Sequence, residues 1–455
     1  MPTLLRHAIE RRSISSLDRF CFLVLLLYFT QAQWTPWDEP EFRSPSALNV
    51  VGTAIGLGIY CLALFPLRTR IRCVTSTMWE NWLVLSICVL AVSSTLWSSS
   101  PELTLRRSLW LGATTLVGFL YGRCQGTEQQ SIILARCILA VAVLSLLLAV
   151  LLPGFGVEQD VHSGDWKGIF SQKNVLGRIM SLGVVLSLTG PFAGRRVVCS
   201  TGMFLVCSFL LFKSGSRTAI AITIIVALLV ACWYLCRRLP LYAKLATIAL
   251  GLALAISAYA LVGTDVLLRL ADRDSTLTGR TDIWEAAVTA GESHWLFGYG
   301  FSAVWLGPYS TIGDHIFDST AHAHNGFLNL MLELGAIGLF LFLALITKTF
   351  LREVRRLTVA PSPVHLWRLA FVIWLILYNC AESTGPAYND LFWMLAVAIS
   401  IEPETAEGHQ GSHSRMVQRT AHNLLPAALR KSCPGRLNEF ARPSSDTSDS
   451  RHLRI

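Results

Sequence analysis

Apolar blocks of about 16–25 residues recur along the chain from Phe20 to about Ile401, and each is long enough as a helix to cross a hydrocarbon core of about 30 Å. A backbone N–H or C=O in lipid has no water to bond, so spanning segments of this kind are helices. Composition agrees: of 455 residues only 15% are charged, and the mean hydropathy is +0.50, whereas a soluble domain is about a quarter charged. The fold class is all-α, a polytopic integral membrane protein. Hydropathy windows give about twelve transmembrane helices, at 20–34, 47–67, 82–97, 108–122, 131–152, 174–193, 197–212, 217–236, 241–263, 326–347, 365–382 and 388–402. Residues 1–19 precede the membrane domain 20–402, which contains one long loop at 264–325. Residues 403–455 are polar, mix both charges, and read as a disordered cytoplasmic tail. The first block follows Arg11, Arg12 and Arg19 without a small-residue cleavage site, which marks it as a retained anchor.

The net charge of +9 would suit a polyanion, but most basic residues lie in short loops, where they act as topology signals. No nucleic-acid partner is expected. With the N-terminus in the cytoplasm, the cytoplasmic loops collect Arg68, Arg70 and Arg72, Arg123, Arg195 and Arg196, Arg237 and Arg238, and Lys348, Arg352, Arg355 and Arg356, as the positive-inside rule requires. Lys167, Lys173, Lys213, Arg217 and Arg280 fall on the opposite side, where topology gives no reason for them; Arg106 and Arg107 join them on a short surface helix. The 12 cysteines lie almost entirely in or beside spans, and the long loop has none, which excludes a disulfide framework and a Cys-ligated metal.

Three polar clusters stand at helix starts facing that second side. The sixth span begins near Lys173-Asn174 after WKGIFSQ (166–172), the eighth at SGSRTA (214–219), and the tenth at HNGFL (324–328). A helix N-terminus offers unpaired N–H groups and about half a positive charge, so it attracts anions. Ser214 or Ser216 suits the N-cap of the eighth span, and Arg217 adds a permanently charged planar fork matched to phosphate oxygens. At the start of the tenth span, His324 meets a positive helix end that favours the neutral imidazole a general base needs. Each residue has a plainer reading: a snorkelling Arg217, a capping His324, a lipid-bound Lys173, and His322 as a loop residue or a partner of His324. Their coincidence on one side favours a site.

The long loop contains LTGRTDIWEAAVTAGESHWLFGYGF (277–301). Residues 281–292 have the pattern of a short amphipathic helix with Ile283, Trp284, Ala287 and Val288 on one face, capped by Thr278 or Thr281, and GYG (298–300) reads as a turn. The expectation is an ordered lid. Glu333, nine residues into the tenth span, is costly there and is expected to pair with Arg178 or Arg136. Glu382, at the outer end of the eleventh span, would bind sugar, hold an arginine or form a structural ion pair.

These residues are familiar. His324-Asn325, nine residues, then Gly335-Ala-Ile-Gly338 resembles the signature of the O-antigen ligase and polymerase superfamily. SGSRTA and TGRTDIW are similar to its two arginine motifs, and GIFSQKNVLGR (168–178) resembles its exopolysaccharide polymerase branch. The resemblance runs over about 165–385. It departs at His294-Trp295, where the family often has a proline before the Gly-x-Gly turn.

The resemblance implies a glycosyltransferase of the bacterial inner membrane, active at the periplasmic face without metal or other cofactor. Its donor would be an undecaprenyl-diphosphate-linked glycan and its acceptor another glycan. Membrane lipid, a chain-length regulator and export proteins are the implied partners. Arg217 and Arg280 would bind the donor diphosphate and His324 would be the catalytic base. Lys173, Asn325, Glu382 and His322 would be further substrate contacts. Polymerisation of exopolysaccharide repeats is the leading reading; ligation to lipid A core or to protein is the alternative. A transporter of lipid-linked oligosaccharide would spread its charge through the membrane depth rather than gather it at one mouth. A zinc set of His315, His322 and His324 has an unusual spacing and no HExxH to support it.

Overall fold

The computed structural model describes residues 16–31, 47–124, 126–159, 164–190, 197–236, 240, 280–305 and 323–401. Their helices, in chain order, are α1 (Ser16–Phe29), α2 (Ala47–Glu80), α3 (Trp82–Ser93), α4 (Pro101–Cys124), α5 (Thr127–Leu151), α6 (Lys173–Thr189), α7 (Val197–Lys213), α8 (Arg217–Cys236), α9 (Arg280–Ser293), α10 (Gly326–Val359), α11 (Pro363–Asn379) and α12 (Leu391–Ser400). Among these residues there is no strand, only an isolated antiparallel bridge between Val157 and Trp166.

Among the described residues three helices, α5, α8 and α10, are long and apolar enough to cross a membrane unaided. The end of α2 and the helical stretch from Trp82 to Leu96 together make a fourth candidate, bent by 87° across Asn81. The remaining apolar helices are shorter, and the ten residues of α12 rise only about 15 Å. The expected spans therefore correspond to helices of unequal reach, because a hydropathy window scores apolar residues whether or not they lie on one helix. The 241–263 span and the 403–455 tail lie outside the described residues.

Two basic clusters assigned to loops are in fact helical, and the pair assigned to a short surface helix lies within a long one. Arg68, Arg70 and Arg72 continue α2, and Arg106 and Arg107 lie inside α4, whose start at Pro101 precedes the expected 108. Lys348 to Arg356 extend α10 to Val359. Arginine and lysine are good helix formers, so the polar boundary seen by hydropathy is the edge of the lipid, not the end of the helix.

The core is aromatic where α11 meets α12. Trp374 stacks on Phe392 at 5.0 Å and lies 4.6 Å from Tyr378. Its indole N–H donates to Ser181 Oγ on α6 at 2.8 Å, and that of Trp393 to Thr115 Oγ1 on α4 at 2.9 Å. Buried indoles thus tie four helices together without leaving a donor unmade.

At the end of α10 remote from His324, the buried carboxylate of Glu353 meets Arg352 at 3.1 Å, Arg356 at 3.3 Å, Arg368 at 3.1 Å and His365 at 3.3 Å. Arg352 and Arg368 also donate to the carbonyls of Ile399, Ser400 and Ile401. Those are the orphan acceptors at the C-terminus of α12. The cations therefore clamp a helix end.

Candidate active site

α10 starts as its sequence demands. Asn325 is the N-cap, and its side-chain oxygen accepts from the N–H groups of Phe327 and Leu328, each at 3.1 Å. Gly326 follows because nothing larger fits: a Cβ there would lie 1.8 Å from Asn379 Oδ1. Asn325, expected to touch substrate, therefore has its carboxamide oxygen occupied in capping.

His324, directly before the cap, has φ +49°. A non-glycine residue in the left-handed region is uncommon and is held there by its surroundings. On one side, Trp284 of α9 donates its indole N–H to the carbonyl of Ala323 at 2.9 Å. On the other, the N–H of Gly326 donates to the carbonyl of Glu382 at 3.1 Å. The side chain of Glu382 completes the arrangement, with Oε2 3.1 Å from His324 Nδ1. A carboxylate only accepts, so Nδ1 carries the proton and Nε2 is the nitrogen left to present a basic lone pair. Glu382 thus holds the histidine.

The turn carrying Glu382 is itself fixed. Asn379 Oδ1 accepts from Thr384 N–H at 3.2 Å, and Arg178 of α6 donates to the Ser383 carbonyl at 3.3 Å. Asp390 caps α12 through Phe392 and Trp393 N–H, each at 2.8 Å. Asp390 is itself buried. Arg178 also lies 4.8 Å over the Phe392 ring.

Arg178 is therefore not the partner of Glu333, and Arg136 is not either. Glu333 Oε1 accepts from Asn329 at 2.8 Å, the Ser302 N–H bonds to its carboxyl, and the guanidinium whose field reaches it is Arg107. Arg107, buried rather than on a surface helix, donates to the carbonyl and hydroxyl of Ser302. Asn379, Asp390, Arg107 and Arg178 were not singled out for these roles from sequence. Only Asp390 carried a legible signal, an Asp immediately before an apolar run.

The other expected site residues are distributed as follows. Arg217 is exposed at the first residue of α8. Its preceding turn packs closely on α6, since a Cβ on Gly177 would lie 2.7 Å from Ser216 and 3.0 Å from Ser214. Ser216 holds the cap position, with its carbonyl accepting from Ile220 N–H. Lys173 opens α6 but its ammonium is 2.6 Å from Asp165, so a protein carboxylate already pairs it. Arg280 opens α9; its side chain and His322 lie outside the described residues. Contacts run from Ser214 and Ser216 through Gly177 and Arg178 to Ser383, Glu382 and His324. The starts of α6, α8 and α10 thus share one end of the bundle.

The described part of the long loop, 280–305, packs into the bundle rather than lying on its surface. α9 buries Ile283 and Ala287 while Val288 is exposed, and Thr281 sits inside its first turn; Thr278 is outside the described residues. The segment after α9 enters a break in α10. Gly335 has φ 66° and ψ −169°. The groups that an unbroken helix would pair are bonded to this segment: Ala336 N–H to Trp295 O at 2.7 Å, Ile337 N–H to Leu296 O at 3.4 Å, Tyr299 N–H to Leu332 O at 2.8 Å and Gly300 N–H to Glu333 O at 3.0 Å. The far side is held by Trp97 Nε1 to Phe297 O at 3.2 Å and Phe301 N–H to Ser94 Oγ at 3.0 Å. Trp295, at the departure from the family pattern, contributes through its backbone.

The geometry defines an all-helical membrane protein with a carboxylate-held imidazole at a capped helix start. Residues 202–343 match the model of the O-Antigen ligase family, and Arg217, Arg280 and His324 all fall within the matched stretch. The chain is 26% identical over 310 residues to the exopolysaccharide production protein ExoQ of Rhizobium meliloti (strain 1021), covering 65% of this chain and 69% of that protein.

Proposed function

We propose that the protein polymerises lipid-diphosphate-linked oligosaccharide repeats into exopolysaccharide at the periplasmic face of the inner membrane. The observation that carries the reading is the His324–Glu382 pair on left-handed backbone beside a helix N-terminus. In the reaction, an acceptor sugar hydroxyl attacks the anomeric carbon of the donor. Its proton passes to Nε2 of His324, and the anomeric carbon–oxygen bond breaks with its electron pair leaving on the diphosphate. One displacement inverts the anomeric centre. The leaving charge would meet Arg217, Arg280 and the N-terminal ends of α6, α8 and α10, whose positive charge favours the departing anion. Similarity to an exopolysaccharide production protein favours polymerisation over ligation.

The test is replacement of His324 by Ala and by Asn, which tolerates the left-handed region, in a deletion background. Both variants should insert normally and make no polymer, with lipopolysaccharide unchanged. Wild-type polymer from either variant removes the base; loss of the lipopolysaccharide side chain instead of secreted polymer would establish the ligase.

A further inference from the structure

A cavity of about 170 Å³ lies beside the His324–Glu382 pair, between the first half of α10, the Phe301–Ser302 turn and the 383–388 turn. It is smaller than the roughly 300–1,000 Å³ of a drug-sized pocket and would hold about six waters at roughly 30 Å³ each. Gly326 and Ser383, the immediate neighbours of the site on each chain segment, both line it. Two other features bear on what it takes. Asn329 and Ser383 each carry a buried oxygen, Oδ1 and Oγ, with no hydrogen-bond partner among the described residues. Buried polar atoms are almost always paired; these two oxygens are covered in the empty cavity, so an occupant that drew either one out would relieve that cost. The lining also mixes the Glu333 carboxyl with the apolar faces of Leu330 and Tyr388, and includes no Lys or Arg.

We infer that this cavity is the acceptor-sugar subsite, built for one uncharged, hydroxyl-rich ring, with Asn329 and Ser383 as specificity-determining residues. The assignment rests on the glycosyl-transfer reading above. A diphosphate or an acidic sugar would enter beside the Glu333 carboxyl, and the Arg107 guanidinium behind the wall is already engaged by Ser302 and Glu333, so the donor head group belongs at the helix starts instead. A neutral pyranose suits both kinds of wall: its hydroxyls meet Asn329, Ser383 and Glu333, and its C–H faces meet Leu330 and Tyr388. Its position next to Gly326 and Ser383 puts an acceptor hydroxyl near the imidazole.

The experiment uses the full chain in detergent with a saturating lipid-linked repeat as donor and a soluble repeat, released from lipid by mild acid, as acceptor. Asn329→Ala and Ser383→Ala should each raise the acceptor KM about five- to tenfold, the loss of one hydrogen bond, and leave kcat within about threefold. Ala387→Phe, which fills the cavity without removing a donor or acceptor, should abolish acceptor binding. Binding of the soluble repeat is followed in parallel by saturation-transfer NMR on the His324→Ala protein, which needs no turnover. If that protein still polymerises, the catalytic reading fails. If it is inactive but binds the repeat equally well with Asn329, Ser383 and Ala387 all replaced, the subsite alone is overturned and the cavity holds water only.

Discussion

Replacing Gly335 with Ala tests whether the break in α10 is what anchors the segment after α9. The φ of 66° with ψ −169° is territory for glycine, and a side chain there costs about 1–3 kcal/mol. Space is a second obstacle: the new Cβ would lie 2.2 Å from Leu296 O and 2.3 Å from its carbonyl carbon, both backbone. The segment must withdraw or the helix must straighten. Straightening gives up the four cross-bonds and regains two helical ones, a net loss of two at about 1 kcal/mol each. Straightening also relieves the φ strain, so the two costs are alternatives, and the cheaper route sets a loss of about 2 kcal/mol out of the roughly 5–15 kcal/mol that holds a folded protein. In detergent the melting temperature should fall by about 4 °C, at the roughly 2 °C per kcal/mol of a large chain. Amide exchange should accelerate at 295–300 and 335–337. Gly112→Ala in α4 is the control, because a Cβ there meets nothing within 4 Å, and it should be neutral or stabilising by up to about 1 kcal/mol. An unchanged melting temperature and unchanged exchange in Gly335→Ala would refute the account of the break.

Three further outcomes are expected. Glu382→Gln keeps the shape but no longer enforces the Nδ1-protonated tautomer, so kcat should fall by about 10²–10⁴, measured as initial polymerisation rate, while substrate binding holds; a fall in binding with kcat intact contradicts the role. Trp284→Phe removes the 2.9 Å bond to Ala323, worth about 1 kcal/mol. It should slow polymerisation severalfold with little change in melting temperature; no change in rate separates α9 from the site. Glu353→Gln leaves buried guanidiniums uncompensated, for which losing one member of a buried pair costs about 3–5 kcal/mol. The melting temperature should drop sharply, and a stable, fully active variant would show that the cluster is dispensable.

What could be read in the sequence divides along physical lines. Helix starts were legible because capping is local: Arg217 opens α8, Lys173 opens α6 and Asn325 caps α10, each within a residue or two of a polar cluster. The short helix after Thr278 was legible from its periodicity, although Val288 faces outward because the buried face continues to Ala287 and Gly291 instead. Partnerships were not legible. Glu382 is 58 residues from His324, and Arg107 is 195 from Ser302. Nothing local distinguishes a buried arginine held by backbone carbonyls from one that marks topology. The burial of GYG was hidden for the same reason: its partners are backbone groups released by a glycine 35 residues downstream of Gly300, and no side-chain pattern advertises a helix that is about to break.

The break also explains why the motif spans so many residues. His324 must be rigid, yet it sits in a loop, where backbone is ordinarily soft. Rigidity is supplied from two sides: the turn after α11 holds its ring and the next N–H, and α9 holds the preceding carbonyl. α9 is steady only because the segment that follows it is bonded into α10 at Gly335. The nine residues from Asn325 to Gly335 are thus one short helix with the imidazole at its capped end and a backbone anchor at its broken end, at a rise of about 1.5 Å per residue. Adding or removing one residue between them would rotate the cap by about 100° relative to the anchor, the angle per residue implied by 3.6 residues per turn, and the ring could no longer face Glu382. A one-residue insertion after Leu330 should therefore abolish polymerisation as completely as loss of His324, although every residue of the site remains present.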